Sequence, residues 1–235
     1  MANLIKSNNA NIKIFGAKLS AASMEGVPPA IDLASGLQAF YKLSDTSDSS
    51  GNNNTLTVNG DVQFDTGKIG LAAGFDGSSW LSTSGNTAFG TDDLTVGMWV
   101  NAVNLSQDQK MVFVGGASGF AFSLLDGTVH ISKANVADLY DFSSGAVTNN
   151  SWFHVLIKRA GSTFTCYVNG SSVGTYDSGS VIDFTGTDYF FGAYIDGLTG
   201  YSIEGQIDAV GIWNRALNEG EVSALYNSGN GLELN

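Results

Sequence analysis

The sequence has one cysteine, Cys166, so no disulfide forms within the chain. In FTCYVNG that residue alternates as a strand position and reads as a small buried hydrophobe. Basic residues are scarce: 10 Lys and Arg stand against 22 Asp and Glu, a formal net charge of −12. A surface of that sign repels phosphate backbones, which argues against nucleic acid as a partner. Only five of the acids are Glu, which thins the supply of catalytic carboxylates. No stretch approaches the roughly 20 apolar residues of a membrane span, so no membrane insertion is expected. The leader MANLIKSNNANIKIFGAK has neither the apolar core nor the cleavage site of a secretory signal, and folding in a cytoplasm is expected. Proline is nearly missing too, with 2 in the chain, adjacent at Pro28 and Pro29. They force an extended segment.

Glycine is plentiful, at 30 residues, and short apolar runs alternate with Ser, Thr, Asn and Asp. This is the texture of many short strands joined by tight turns, and the length suits one all-β domain. Residues 1–31 form an N-terminal arm and linker; residues 32–235 form a β-sandwich. Within the arm, Ile12, Ile14, Phe15 and Leu19 are candidates for docking an added strand on a partner, the alternative being a disordered leader or an extra edge strand. GLQAFYKL (36–43), LTVGMWVN (94–101), SWFHVLIKRAGSTFTCYVNG (151–170) and DYFFGAYID (188–196) read as strands. Turns are expected at Asn59-Gly60, Asp76-Gly77, Asp126-Gly127 and Asn169-Gly170, whereas 134–150 reads as loop. Asn218 is placed to cap a short helix with Glu221 at its third position, Val222, Leu225 and Tyr226 on one face and Gly229 at its end.

The chain is organised around EGQIDAVGIWNRALNEGEVSALYNSG (204–229). Simple alternation puts Ile207, Ala209, Gly211 and Trp213 on one side and Asp208, Val210 and Ile212 on the other. Apolar residues on both sides mark a central, doubly covered strand. A carboxylate there demands a hydrogen-bonding partner or a metal.

Several segments in this order carry a family resemblance: GLQAFYKL, DSSGNNNTLT, TGKIGLAAGFDG, LTVGMWV, WFHVLIKRAGSTFTCYVNG and GQIDAVGIWNRALNEGEVSALYNSG. Over about residues 36–229 the chain resembles the LamG-like jellyroll family of the concanavalin A-like lectin/glucanase superfamily. The wording DSSGNNNTLT…TGKIGLAAGFDG is also similar to LamG-type domains of tailed-phage structural proteins. The first resemblance implies a two-sheet antiparallel jelly-roll sandwich with a short C-terminal helix. It also implies a structural Ca²⁺ held by the DSSGNNN loop and the Asp of GQID. Carried across, the ligands are Asp48 and Asp208, with Asn52 and Asn53 as amide or backbone donors and Asp76 as a further candidate. The alternative for Asp208 is that it accepts hydrogen bonds from loop amides.

Catalytic chemistry is thin. Glucanases of the superfamily use paired Glu on a strand, and Glu25, Glu204, Glu219, Glu221 and Glu233 have no such spacing. GSSVG (170–174) fits G-x-S-x-G but follows a hairpin turn and precedes no helix, so it is no nucleophile elbow. His130 and His154 sit inside strands. Lectins stack sugars on exposed aromatics, and Trp80, Tyr140, Tyr176 and Tyr201 lie near turns.

The sequence reading is therefore a non-enzymatic virion structural protein, a capsid decoration or cement protein docked through its arm on the major capsid protein or other virion subunits. A trimer suits a three-fold capsid site. The alternative is a carbohydrate-binding adhesion module on a phage tail, a fibre or a cell, with a host-surface glycan as partner. A glycoside hydrolase ranks below both.

Overall fold

The computed structural model of the chain describes residues 30–86, 88–106, 108–114, 119–133, 137–142, 147–194 and 201–234. The chain divides into two units, Met1–Ala30 and Ile31–Asn235. The docking candidates Ile12, Ile14, Phe15 and Leu19 lie outside the described residues.

Two antiparallel sheets build the second unit. Across the larger run β13 (Ser171–Asp177), β12 (Thr163–Val168), β11 (Phe153–Ala160), β6 (Leu94–Ala102), β15 (Glu204–Trp213), β4 (Leu71–Asp76) and β3 (Gln63–Thr66), with β1 (Leu37–Tyr41) also paired to β15. Across the smaller run β10 (Ala137–Phe142), β9 (Thr128–Lys133), β8 (Phe120–Leu125), β7 (Gln109–Val114), β14 (Tyr189–Phe191), β5 (Trp80–Thr83) and β2 (Thr57–Asn59). One helix, α1 (Glu219–Tyr226), follows β15. The architecture is the expected all-β jelly-roll sandwich.

Alternation explains the core. Val96, Met98 and Val100 of β6 point inward with Val155 and Ile157 of β11, and meet Val112, Phe120, Phe122, Val129 and Ile131 from the smaller sheet. Each fully buried side chain of this size contributes roughly 1.5–3 kcal/mol. The opposite face of the larger sheet is also covered: Leu156, Tyr167 and Trp213 pack under Val222 and Leu225 of α1. That two-sided burial is why β15 and β6 read as near-continuous apolar runs.

Three local expectations need correcting. First, β15 does not alternate simply. Ala209 adopts φ +48, and the register with β6 slips between Asp208 and Gly211. The bulge turns Ile207 to the inner face with Val210 and Ile212, leaving Asp208 opposite Trp99 on the outer face. Its outer neighbour also changes at this point, from β4 to β1. Second, the segment read as loop contains β10, paired to β9 with a register slip of its own. Third, α1 ends at Asn227, which takes the left-handed conformation expected of Gly229. The predicted capping box is present: the Glu221 amide donates to Asn218 Oδ1 at 3.1 Å and the Asn218 amide to Glu221 Oε2 at 2.8 Å.

Candidate functional site

The outward face of the smaller sheet carries polar and aromatic chemistry where the larger sheet carries a helix. Register places Lys110, Ser123, His130 and Asp141 side by side across β7, β8, β9 and β10. Lys110 Nζ donates to Asp108 at 2.9 and 3.0 Å and to Ser123 Oγ at 3.2 Å. His130 Nδ1 meets Asp141 Oδ1 at the far end of the row. The Lys110 ammonium also lies 5.7 Å from the ring centre of Tyr194 and 5.5 Å from that of Tyr201. These are cation–π distances. Tyr194 and Tyr201 meet edge to face at 6.0 Å, and Tyr201 remains 45% exposed.

Tyr194 and Trp80 both pack against Phe190 and Ala121, so an aromatic strip runs over this face. Phe190 continues it into a groove of about 440 Å³ at the β2–β5 edge, whose walls include Asn53, Asn54, Thr57, Ser82 and Asp188. Amides, hydroxyls and one carboxylate around an aromatic ring can hydrogen-bond a polyol while stacking its apolar side.

Of the four aromatics singled out in the sequence, Trp80 and Tyr201 fall on this face. Tyr140 and Tyr176 instead stack on each other at 4.9 Å, joining edge strands β10 and β13. Lys110, Asp108 and Tyr194 were missed. The available signal was a lysine inside the apolar strand QKMVFV.

The residues carried over for Ca²⁺ divide. Asp48 spends its carboxylate on four donors: the amides of Phe40 (3.1 Å), Ser50 (2.9 Å) and Asn54 (3.0 Å) and the Ser50 hydroxyl (2.9 Å). It fastens its own loop to β1. Asn52 and Asn53 follow in that loop, where Asn53 adopts φ +61 and lines the groove, and Asn52 donates to the Gln38 carbonyl at 2.9 Å. Asp76 accepts from the Ser78 amide and hydroxyl, both at 2.9 Å, in a surface turn that holds its carboxyl down to about 2.

Asp208 is 0% exposed. Its Oδ2 accepts the Ile69 amide at 2.8 Å, while Oδ1 is buried without a partner. Burial pushes its carboxyl up to about 6 despite the amides of Ile69, Lys68 and Ala209. Among the described residues no three His, Cys, Asp or Glu side chains gather as a metal group. A single unspent carboxylate oxygen falls short of the roughly six to eight oxygens Ca²⁺ takes, so the carried-over set does not fit a calcium cage.

Buried His154 and surface Glu219 serve structure. His154, packed 5.3 Å from Trp99, is driven down to about 3 by burial and is neutral. Glu219 is bound to Lys158 at 2.7 Å and to the Tyr167 hydroxyl at 2.6 Å. Ser172 of GSSVG lies in the β12–β13 hairpin.

Comparison with known proteins agrees with this architecture. Residues 75–223 match a family described as Concanavalin A-like lectin/glucanases superfamily, Laminin_G_3. No curated protein sequence matches the chain significantly. Among solved structures, the binding domain of Paraclostridial Mosquitocidal Protein 1 superposes with a TM-score of 0.69 at 22% identity, covering 84% of this chain and 53% of that one. Domain 4 of AbnA, an extracellular GH43 arabinanase from Geobacillus stearothermophilus solved with arabinotriose, gives 0.67 at 20% identity, covering 83% and 98%. The botulinum neurotoxin serotype D/C binding domain gives 0.68 at 16% identity, covering 84% and 53%. The chain thus spans about half the length of the toxin domains and nearly all of the arabinanase domain. At these identities the likeness is one of fold.

Proposed function

This chain belongs to the Concanavalin A-like lectin/glucanases superfamily, and from that membership we propose that it is a non-catalytic recognition module that binds neutral carbohydrate. The observation that carries the proposal is the aromatic strip of Trp80, Phe190, Tyr194 and Tyr201 running into a groove walled by amides and hydroxyls. Sugar rings present apolar C–H faces to aromatic rings and hydroxyls to amides, so both halves of the recognition chemistry meet on one surface. The net charge of −12 disfavours polyanionic glycans, and Asp108 neutralises Lys110, the cation at the strip. The arabinotriose bound by AbnA domain 4 makes arabino-oligosaccharides a sensible first probe. Glu219 and Glu221, held by Lys158 and Arg215, support a binding role over hydrolysis.

The test is calorimetric titration of the full chain with arabinotriose and a panel of neutral oligosaccharides, repeated with Tyr201→Ala and Trp80→Ala. Binding lost in these variants, with unchanged melting, supports the reading. Failure of every glycan to bind, or binding indifferent to both substitutions, overturns it.

A second reading sets the module in a virion, as a capsid decoration protein or a tail or fibre adhesin. Its support is the separate N-terminal unit Met1–Ala30, which would dock on capsid or sister subunits. Quantitative mass spectrometry of purified particles tests it: abundance near that of a coat protein favours decoration, a few copies an adhesin, and absence removes the virion.

A further inference from the structure

Next to the groove, and sharing Asn54 with it, lies a second cavity of about 300 Å³ whose walls include Leu37, Gln38, Asn52, Asn86 and Tyr189. Two of these residues carry buried polar atoms without a hydrogen-bond partner, the Tyr189 hydroxyl and Asn86 Oδ1. Tyr189 is 0% and Asn86 6% exposed. A buried donor or acceptor left unmade is costly, and native interiors rarely keep one without a use.

Neither group is free to turn away. Asn86 Nδ2 donates to the Thr187 carbonyl at 2.8 Å, and its backbone amide to the same oxygen at 3.1 Å. That bond fixes the amide and leaves Oδ1 as the acceptor. Tyr189 lies in β14 with its ring stacked on Phe89, 6.5 Å between centres. Burial, then the nearby Asp48 carboxylate, raises its phenol far above the ordinary value, so it stays a protonated donor. The rim is held too: Asn52 and Asn54 each donate to the Gln38 carbonyl at 2.9 Å, and the Tyr41 hydroxyl donates to the Asn54 carbonyl at 2.8 Å.

A fixed donor and a fixed acceptor in one cavity select the ligand. A carboxylate has no proton to give Asn86, and an ammonium has no lone pair to take the Tyr189 proton. A hydroxyl both gives and accepts. We propose that this cavity is a hydroxyl-recognition subsite, which takes one hydroxyl-bearing unit of a neutral saccharide whose next unit occupies the groove. Its volume is at the lower end of the roughly 300–1,000 Å³ of small-molecule sites, which suits a single unit and not a longer chain. The inference rests on the groove binding carbohydrate and adds where the chain end goes and what selects it.

The experiment follows the Asn86 side-chain amide of the full-length protein by nitrogen–proton correlation NMR. The probes are arabinose, galactose, glucose, mannose and arabinotriose, and the variants are Tyr189→Phe and Tyr201→Ala. Expected are a saturable shift of the Asn86 amide and binding weakened about tenfold or more in Tyr189→Phe. The melting temperature of that variant should be unchanged or higher, since an unpartnered hydroxyl is removed. A sugar that binds in a Tyr201-dependent way, leaves the Asn86 amide unmoved and binds Tyr189→Phe equally well overturns the subsite while the recognition module stands. Failure of every probe to bind overturns both.

Discussion

The guanidinium of Arg215 grips both carboxylate oxygens of Glu221, each at 2.8 Å. The same guanidinium donates to the carbonyls of Ser35 and Asp32, and Glu221 in turn receives the amides of Asn218 and Asp32. One ion pair therefore ties the start of α1 to the chain segment entering β1, and Trp213 adds an indole bond to the Leu33 carbonyl at 2.8 Å. Glu221 is 1% exposed while the Arg215 side chain keeps 26%, so water screens the pair from the arginine side only.

Breaking that pair from one side should be severe. Glu221→Ala leaves the partly exposed Arg215 without its carboxylate, removes half of the capping box and is expected to cost about 2–3 kcal/mol, read as a lower urea midpoint. Against the cost of burial, Arg215 and the amides hold the Glu221 carboxyl below its ordinary value. Its contribution is therefore complete at neutral pH and lost only as acid protonates it in the folded chain. An Ala variant as stable as the parent would remove this role.

Asp208 has the opposite sign. Its folded value of about 6 lies above the ordinary 3.8, so between these values the folded chain keeps a proton that the unfolded chain has released. Stability should fall as pH rises across that interval, by at most about 3 kcal/mol. Asp208→Asn keeps an acceptor for the Ile69 amide and should flatten the profile, exceeding the parent near neutral pH in EDTA. Adding Ca²⁺ then decides whether the unpartnered oxygen takes a cation: a parent that regains stability while the Asn variant does not identifies Asp208 as a ligand. Urea curves at about pH 4 and about pH 7 supply all the comparisons.

Cys166 lies in the inter-sheet core at 0% exposure, and burial alone pushes its thiol far up. A thiol reagent at neutral pH should leave the folded protein unlabelled, and labelling should track global unfolding in urea. Rapid labelling in buffer would mean that β12 opens locally.

How much of this was legible is decided by period and by range. Strands such as LTVGMWVN and FHVLIKRA are apolar on both faces because each is covered twice, and that pattern is visible in sequence. The capping box of Asn218 and Glu221 is equally local. The bulge at Ala209 was not legible, because nothing in GQIDAVGIW says that one residue leaves the ladder; yet that residue decides which face Asp208 occupies. β10 was hidden for a related reason: as an edge strand with a register slip, it lacks a clean alternation. Tyr189 and Asn86 stand 103 residues apart in sequence, and only the fold brings them to one cavity. Asp108 and Lys110, two residues apart, could have been noticed as an ion pair, but their aromatic partners lie beyond Tyr189.

That ion pair supports a prediction about selectivity. The Lys110 ammonium lies beside the edge-to-face pair of Tyr194 and Tyr201, near both rings, with Asp108 cancelling its charge, so the strip offers stacking without a net attraction for anions. Asp108→Asn leaves the cation in place and uncompensated, still bonded to Ser123. The variant should bind uronate-containing oligosaccharides more tightly than the parent, by about tenfold if one new charge-assisted hydrogen bond forms, with neutral oligosaccharides nearly unchanged. The gain should depend only weakly on salt, because Lys110 is 4% exposed and a buried charge is little screened. Adding Lys110→Met to the Asn variant should abolish it. Were the double variant to keep the preference, the attraction would originate elsewhere on the surface, and Lys110 would serve only to hold the two tyrosines in place.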